Sequence, residues 1–385
     1  MTSSTSFSSR RAALALAALA LTACAGAKAA AAAAPAGAAG APEGRRGLAT
    51  RIALLPLVNL SGQTVSLKEL QEGLEAELLT RGLAVAGGGA VDEMLARHRL
   101  RYTGGVDAVM ARAAREELGA DALLVAAVTL YGREGSHGFG MSMRLVSSQD
   151  APAILWMDEA ARTVDDTPGL FDLGIASGIP ELMREATVRL TGSLVAALSG
   201  SGPAFSTCPA SGRHAPRVRY RGAPSTPAAH PAVAVLPFVN QTGRLDAGDI
   251  VGLEFIRELA RHREIRVYEP GVVRSELLRN RVVMEGGVSH ETARIALGAF
   301  EADVIVAGYV RTHEESPVPR LEFTVLALDT RTNKVVWTST SYNRGDEGVF
   351  FFGAGRVSTS TELACLMVRP VVDGMIAAWR ARSSP

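Results

Sequence analysis

A ten-residue stretch occurs twice in the chain, and a chain built in this way is constrained to repeat its fold. Residues 53 to 62 read Ala-Leu-Leu-Pro-Leu-Val-Asn-Leu-Ser-Gly, and residues 234 to 243 read Ala-Val-Leu-Pro-Phe-Val-Asn-Gln-Thr-Gly, identical at six of ten positions. Pro56 and Pro237 lie 237 − 56 = 181 residues apart, as do Asn59 and Asn240, and Gly62 and Gly243. Later landmarks keep that spacing. Gly104-Gly105-Val106 matches Gly286-Gly287-Val288, Asp121 matches Asp303 (303 − 121 = 182), and Trp156 matches Trp337 and Gly174 matches Gly355, both at 181. A fixed offset over such a length marks a duplicated unit.

Each copy reads as a short apolar strand running into a turn. The apolar run is too short for a helix, and Asn-x-[ST]-Gly supplies residues that tolerate or demand turn conformations. Proline cannot donate to a sheet ladder, so Pro56 and Pro237 are expected on an edge strand or at a bulge. No nucleophile, base or metal ligand stands in both copies, which makes the stretch a structural signature. Asp121 and Asp303 precede the strongest strands and read as turn or helix-end caps.

The first repeat continues with an amphipathic helix over 66–81, in which Leu67, Leu70, Leu74 and Leu78 recur at spacings of three and four. A short strand at 83–86, helices at 90–99 and 106–118, strands at 122–131, 140–146 and 154–163, and a helix at 180–198 complete it. The second repeat runs through the same series: strand 233–239, helix 248–261, strand 266–268, helices 272–278 and 289–300, strands 302–311, 321–329 and 334–342, and helix 360–381. The expected fold class is α/β, two tandem repeats with a mixed β-sheet packed against helices in each. The domains read as a signal peptide (1–23), an Ala/Gly/Pro tether (24–47), repeat 1 (48–199), a flexible linker (200–231) and repeat 2 (232–382). The linker carries Arg213, Arg217, Arg219 and Arg221. Docking on lipid headgroups or glycan phosphates competes there with a solvated linker, which is the simpler reading.

The amino terminus is an address. Arg10 and Arg11 precede an apolar run from Ala12 to Leu21 that is too short to span a bilayer, and it ends in Leu21-Thr22-Ala23-Cys24. This resembles the lipobox of bacterial lipoproteins, which implies cleavage before Cys24 and acylation of that residue with diacylglycerol and a further acyl chain. Ala25 is not the aspartate associated with inner-membrane retention in enteric bacteria. In a Gram-negative source the expected site is the periplasmic face of the outer membrane. Cys208 and Cys365 remain, and their positions leave a disulfide and two free thiols equally open.

The element Val235 to Gly243, together with the later run Leu328 to Trp337, is similar to segments of a family of bacterial envelope lipoproteins and related domains. It comprises the curli-secretion lipoprotein CsgG, the penicillin-binding-protein activator LpoB and the amino-terminal domain of TolB. The resemblance implies a compact α/β fold with a mixed sheet against helices. Curli-type channels need added hairpins with an apolar lipid face, and no such pair stands in this sequence.

Composition excludes some roles. Forty basic and 39 acidic residues leave a net charge of +1, and aromatic content is 5%. There is thus neither the basic surplus nor the stacking platforms of a nucleic-acid binder. Gly87-Gly88-Gly89 is not followed by Gly-Lys-[ST] and reads as a permissive turn. The seven histidines show no metal-ligand spacing, so no metal and no cofactor are expected. The run Phe350-Phe351-Phe352 is either core or an exposed patch for a partner. The expected function is non-enzymatic: a lipid-anchored protein that binds or positions a protein partner in secretion, cell-wall assembly or outer-membrane organisation. The alternative is a periplasmic ligand- or peptidoglycan-binding module. Replacing Cys24 with Ser is expected to move the protein from the membrane pellet to the soluble fraction, and sedimentation with membranes after a salt wash would refute the anchor.

Overall fold

The computed structural model describes residues 51–132, 137–164, 178–222, 230–284, 286–289, 291–292, 301–349 and 355–380. The first repeat contains β1 (Arg51–Leu54), β2 (Val58–Asn59), α1 (Leu67–Thr80), β3 (Ala84–Ala86), α2 (Gly88–Arg97), α3 (Ala108–Leu118), β4 (Ala122–Gly132), β5 (Gly138–Ser147), β6 (Ile154–Thr163) and α4 (Ile179–Leu198). Its strand order is β3-β1-β4-β5-β6, with β2 also on β4. The pairs among β1, β2, β3 and β4 are parallel, and β4-β5-β6 is an antiparallel meander.

The second repeat repeats this plan. It contains β8 (Ala232–Val235), β9 (Val239–Asn240), α5 (Ala247–Ala260), β10 (Arg266–Val267), α6 (Pro270–Arg279), β11 (Val304–Glu314), β12 (Arg320–Asp329), β13 (Lys334–Arg344) and α7 (Ser360–Arg380). Its order is β10-β8-β11-β12-β13, extended at the end by β7 (Val218–Arg221), which pairs antiparallel with β13.

Helices cover both faces at the parallel end of the first sheet, which is why Ile52, Ala53 and Leu54 of β1 are apolar and buried in succession. Leu70, Leu74 and Leu78 of α1 and Leu182, Leu190 and Leu194 of α4 bury against one face, while Met94 of α2 and Met110 of α3 bury against the other. Local chemistry sets the helix ends. The Asp107 carboxylate accepts from Met110 N at 2.9 Å as an N-cap, and Gly119 closes α3 at φ 61° in the left-handed region.

The duplicated stretch works identically in both repeats. From Leu54 to Val58 the chain takes four steps while its partners Leu124 to Ala127 take three. Val235 to Val239 against Val306 to Tyr309 shows the same excess. Each proline therefore sits in a bulge that splits the strand, where no ladder donor is required. The Asn59 carboxamide accepts from Ser61 N and Ser61 Oγ (3.0 and 2.6 Å), as Asn240 does from Thr242 N and Oγ1 (2.9 and 2.8 Å). Asp121 accepts from Arg51 N and Asp303 from Ala232 N, both at 2.9 Å. The two aspartates thus tie down the start of the opening strand.

The segment 200–222 departs from a flexible linker. Met157 N donates to Ala204 O at 2.9 Å, Ser206 N donates to Met157 O at 3.2 Å, Cys208 is disulfide-bonded to Cys365, and β7 joins the second sheet. Its Gly, Ser and Pro content concealed a strand whose stability comes from the backbone of β13.

The repeats meet along a seam. Arg144 on β5 donates from Nε to Glu269 Oε2 (3.0 Å) and from Nη2 to Oε1 (2.9 Å), and Val106 N donates to the same Oε1 at 3.0 Å. Both side chains are almost wholly buried. Beside them the backbones touch, since a Cβ on Gly105 would lie 2.5 Å from Gly271 N and one on Gly271 would lie 2.3 Å from Val106 N. Only glycine permits that approach. Arg244 makes a third link, donating to Thr129 O across the seam and to Glu315 within its own repeat.

Removing one partner of a buried ion pair strands the other charge out of water. Arg144→Leu is expected to cost about 3–5 kcal/mol. Adding Glu269→Gln is expected to recover part of this, because no uncompensated charge remains. Urea unfolding followed by tryptophan fluorescence measures both, and a double variant no more stable than the single one would refute the coupling.

Candidate functional site: the seam cavity and its disulfide

Between the repeats lies a cavity of about 490 Å³. Phe139, Leu182 and Ala186 line it from the first repeat, Thr361 and Cys365 from α7, and Glu159 and Arg257 meet in its wall. The side chains reach it because α5 is buried on nearly every side, Asp249 being its exposed position. Its Val251, Phe255 and Leu259 face their own sheet, while Glu254, Arg257 and Glu258 form a second buried row.

That row is a charge network. Arg257 donates from Nη1 to Glu159 Oε2 of the first repeat at 3.1 Å and from Nη2 to Glu254. Glu258 accepts from Cys208 N (3.1 Å) and from Arg261 Nε (3.2 Å). Burial, and then the neighbouring Glu159 carboxylate, push Glu254 well above the ordinary carboxylate value against the pull of Arg257. Burial also raises Glu258, opposed by the Cys208 N–H. Burial thus favours the neutral form of Glu254, and Arg257 bridges it to Glu159.

The Cys208–Cys365 disulfide adjoins this row, with Arg257 Nη2 3.1 Å from Cys208 Sγ. Cys208, Glu254 and Cys365 bring one donor atom each within 4.8 Å of one another. With the two sulfurs bonded to each other, neither is the thiolate that a metal would take.

A second cluster superficially resembles hydrolase machinery. His313 Nε2 lies 2.6 Å from Ser360 Oγ, and Ser360 Oγ also contacts Glu315. Ser360 is fully buried, its N–H also donates to Glu315 Oε2 (2.8 Å), and Arg244 holds Glu315 at 2.7 Å. Thr359 Oγ1 accepts from Glu362 N at 3.1 Å, so these residues close the amino end of α7. Burial, together with the charge of Arg244, depresses His313 well below its ordinary value and keeps it neutral.

No family model matches the chain, and no curated protein does. Solved structures with similarity to it include ones that cover from 29% to 44% of the chain. The PelC dodecamer from Paraburkholderia phytofirmans is 17% identical over 40% of this chain and 94% of its own, at a TM-score of 0.26. Lipoprotein GNA1162 from Neisseria meningitidis is 19% identical over 39% and 96%, at 0.27. The LpoB C-terminal domain from Salmonella enterica is 16% identical over 29% and 82%, at 0.25.

Among the residues singled out in the sequence, Cys24 and Phe350, Phe351 and Phe352 lie outside the described residues, as does Gly174. Gly87 to Gly89 open α2, with Gly88 at φ 51°, which agrees with a permissive turn. The seam network was not foreseen. Its cross-repeat pair, Glu159 and Arg257, is separated by 98 residues. The available signal was the presence of Glu254, Arg257 and Glu258 where α1 has Gly73, Ala76 and Glu77. Among the described residues, no helix is long and apolar enough to cross a membrane.

A carboxyl whose pKa is higher folded than unfolded stabilises the fold below the unfolded value, and this contribution is lost as pH rises through the folded value. The contribution of Glu254 to thermal stability is therefore expected to fall as pH rises above its ordinary value of about 4.5. Glu254→Gln, which copies the neutral form, should lose less over the same range. Parallel Tm-against-pH curves for the two proteins would refute the assignment.

Proposed function

We propose that the chain is a non-enzymatic, lipid-anchored envelope protein that binds or positions a protein partner in secretion, cell-wall assembly or outer-membrane organisation. On this reading Cys24 holds it at the periplasmic face of the outer membrane, and repeats 48–199 and 232–382 are its two structural domains. The observation that carries the reading is the unequal covering of two equivalent sheet faces.

In the first repeat every residue of β5 is buried. Ser142 and Arg144 face away from the core that Met141, Met143 and Leu145 enter, and Arg144 is covered by Glu269 of the second repeat. At an offset of 182 their counterparts on β12 are Thr324 and Leu326, which are only half-buried, and β12 alternates between buried and half-buried positions. Thr338, Thr340 and Tyr342 of β13 extend that open face, and Tyr220 of β7 lies opposite Thr338. The fold thus displays, within one chain, a folded protein docked on a face that its second copy leaves open. We place an apolar anchor for the partner at Phe350, Phe351 and Phe352.

One observation favours peptidoglycan as a second reading. Tyr220 and Tyr342 are exposed, and the Arg217 guanidinium stands 5.8 Å from the Tyr342 ring centroid, an arrangement suited to stacking on sugar rings. A photo-crosslinking residue at Thr340 in intact envelopes tests both. A discrete protein adduct that weakens with Phe350→Ser and Phe351→Ser, and that is missing with the probe at Leu79 on α1, is the expected result. Pelleting with purified peptidoglycan and no protein adduct would replace the first reading by the second.

A further inference from the structure

The two sulfurs of the disulfide stand in unlike surroundings. Cys365 is half-buried and lines the seam cavity, whereas Cys208 is fully buried. A thiol arriving through the cavity therefore meets Cys365 first. Cys208 is surrounded by groups suited to a departing thiolate: the Arg257 guanidinium at 3.1 Å from its sulfur and the Glu254 carboxyl within 4.8 Å of both sulfurs. Its backbone is gripped by Glu258 at the N–H and by Arg369 at the carbonyl, so its sulfur stays in place when the bond breaks.

We propose that Cys208 and Cys365 form a thiol–disulfide exchange site that takes a dithiol reductant. In it Cys365 is the sulfur attacked, Cys208 the leaving sulfur and Glu254 the group that protonates it. One thiolate of the dithiol attacks Cys365 Sγ, a mixed disulfide forms, and the Cys208–Cys365 bond breaks with its electron pair on Cys208. Cys208 takes a proton from the Glu254 carboxyl, which lies within 4.8 Å of both sulfurs and is favoured in its protonated form by burial. The second thiol of the reductant then loses its proton and attacks its own partner sulfur. Cys365 is released and protonated, and Glu254 recovers a proton from solvent. The reductant is oxidised by two electrons to a disulfide, and the protein pair is reduced to two thiols.

The step has a structural consequence. The disulfide ties the segment around Cys208 to α7, and three residues earlier Phe205 forms a bridge with Met157 on β6 of the first repeat. Reduction releases a strap that crosses the seam while both cores remain packed.

The test uses the full chain with Cys24→Ser, so that Cys208 and Cys365 are its only cysteines. Brief exposure to glutathione, acid quenching and peptide mapping by mass spectrometry should place the mixed disulfide on Cys365. Reduction of the folded protein by dithiothreitol should slow roughly tenfold or more in Glu254→Gln, with equal rates for both proteins in denaturant. An adduct on Cys208, an unchanged rate in Glu254→Gln, or reduction no faster than global unfolding would each overturn the proposal. The mapping needs only the native Glu254, so it stands whether or not the substituted protein folds.

Discussion

A guanidinium and a carboxylate have left water together at the seam, and the arrangement of the two repeats follows from that. Arg144 belongs to β5 of one repeat and Glu269 precedes α6 of the other, so neither charge is compensated unless the repeats stay in register. The same carboxylate takes the Val106 N–H, and the glycine contact between residues 105 and 271 brings the backbones close enough for it to do so. Burial of this pair does little for net stability compared with an apolar contact of the same shape. Its effect is to make other registers costly.

Duplication makes that choice visible. The position of Arg144 is held by Leu326 in the second repeat, and that of Glu269 by Gly87 in the first. The charge pair thus exists once, and one sheet face is covered while its twin is left open. The helices diverge in parallel. α1 buries Leu70, Leu74 and Leu78 and turns Lys68, Glu69 and Glu72 to water, whereas α5 is buried on nearly every side. An α5 that packs on two surfaces needs its polar row satisfied internally, which Glu159, Arg257, Glu254 and Glu258 accomplish.

The disulfide completes the far side of the seam. Among the described residues, segment 204–222 contributes a bridge to β6, a covalent bond to α7 and a strand beside β13. A stretch rich in Gly, Ser and Pro has little to bury by itself, so its order depends on edges supplied by both repeats. Composition alone therefore read it as a linker.

The repeated ten residues, the Asp121 and Asp303 positions and the spacing of Trp156 and Trp337 were enough to determine two copies of one α/β topology. Those features act locally: a proline in a bulge, an asparagine closing a turn, an aspartate tying a strand end, leucines at helical spacing. The sequence alone also carries the resemblance to a lipobox at Cys24, because a signal is read as a linear segment. Which sheet face would be covered, which of many Arg and Glu residues would pair, and whether Cys208 would meet Cys365 across 157 residues were decided only by tertiary structure. Contacts between residues far apart in sequence have no period or spacing, and their energies depend on burial, which exists only once the two repeats have packed together.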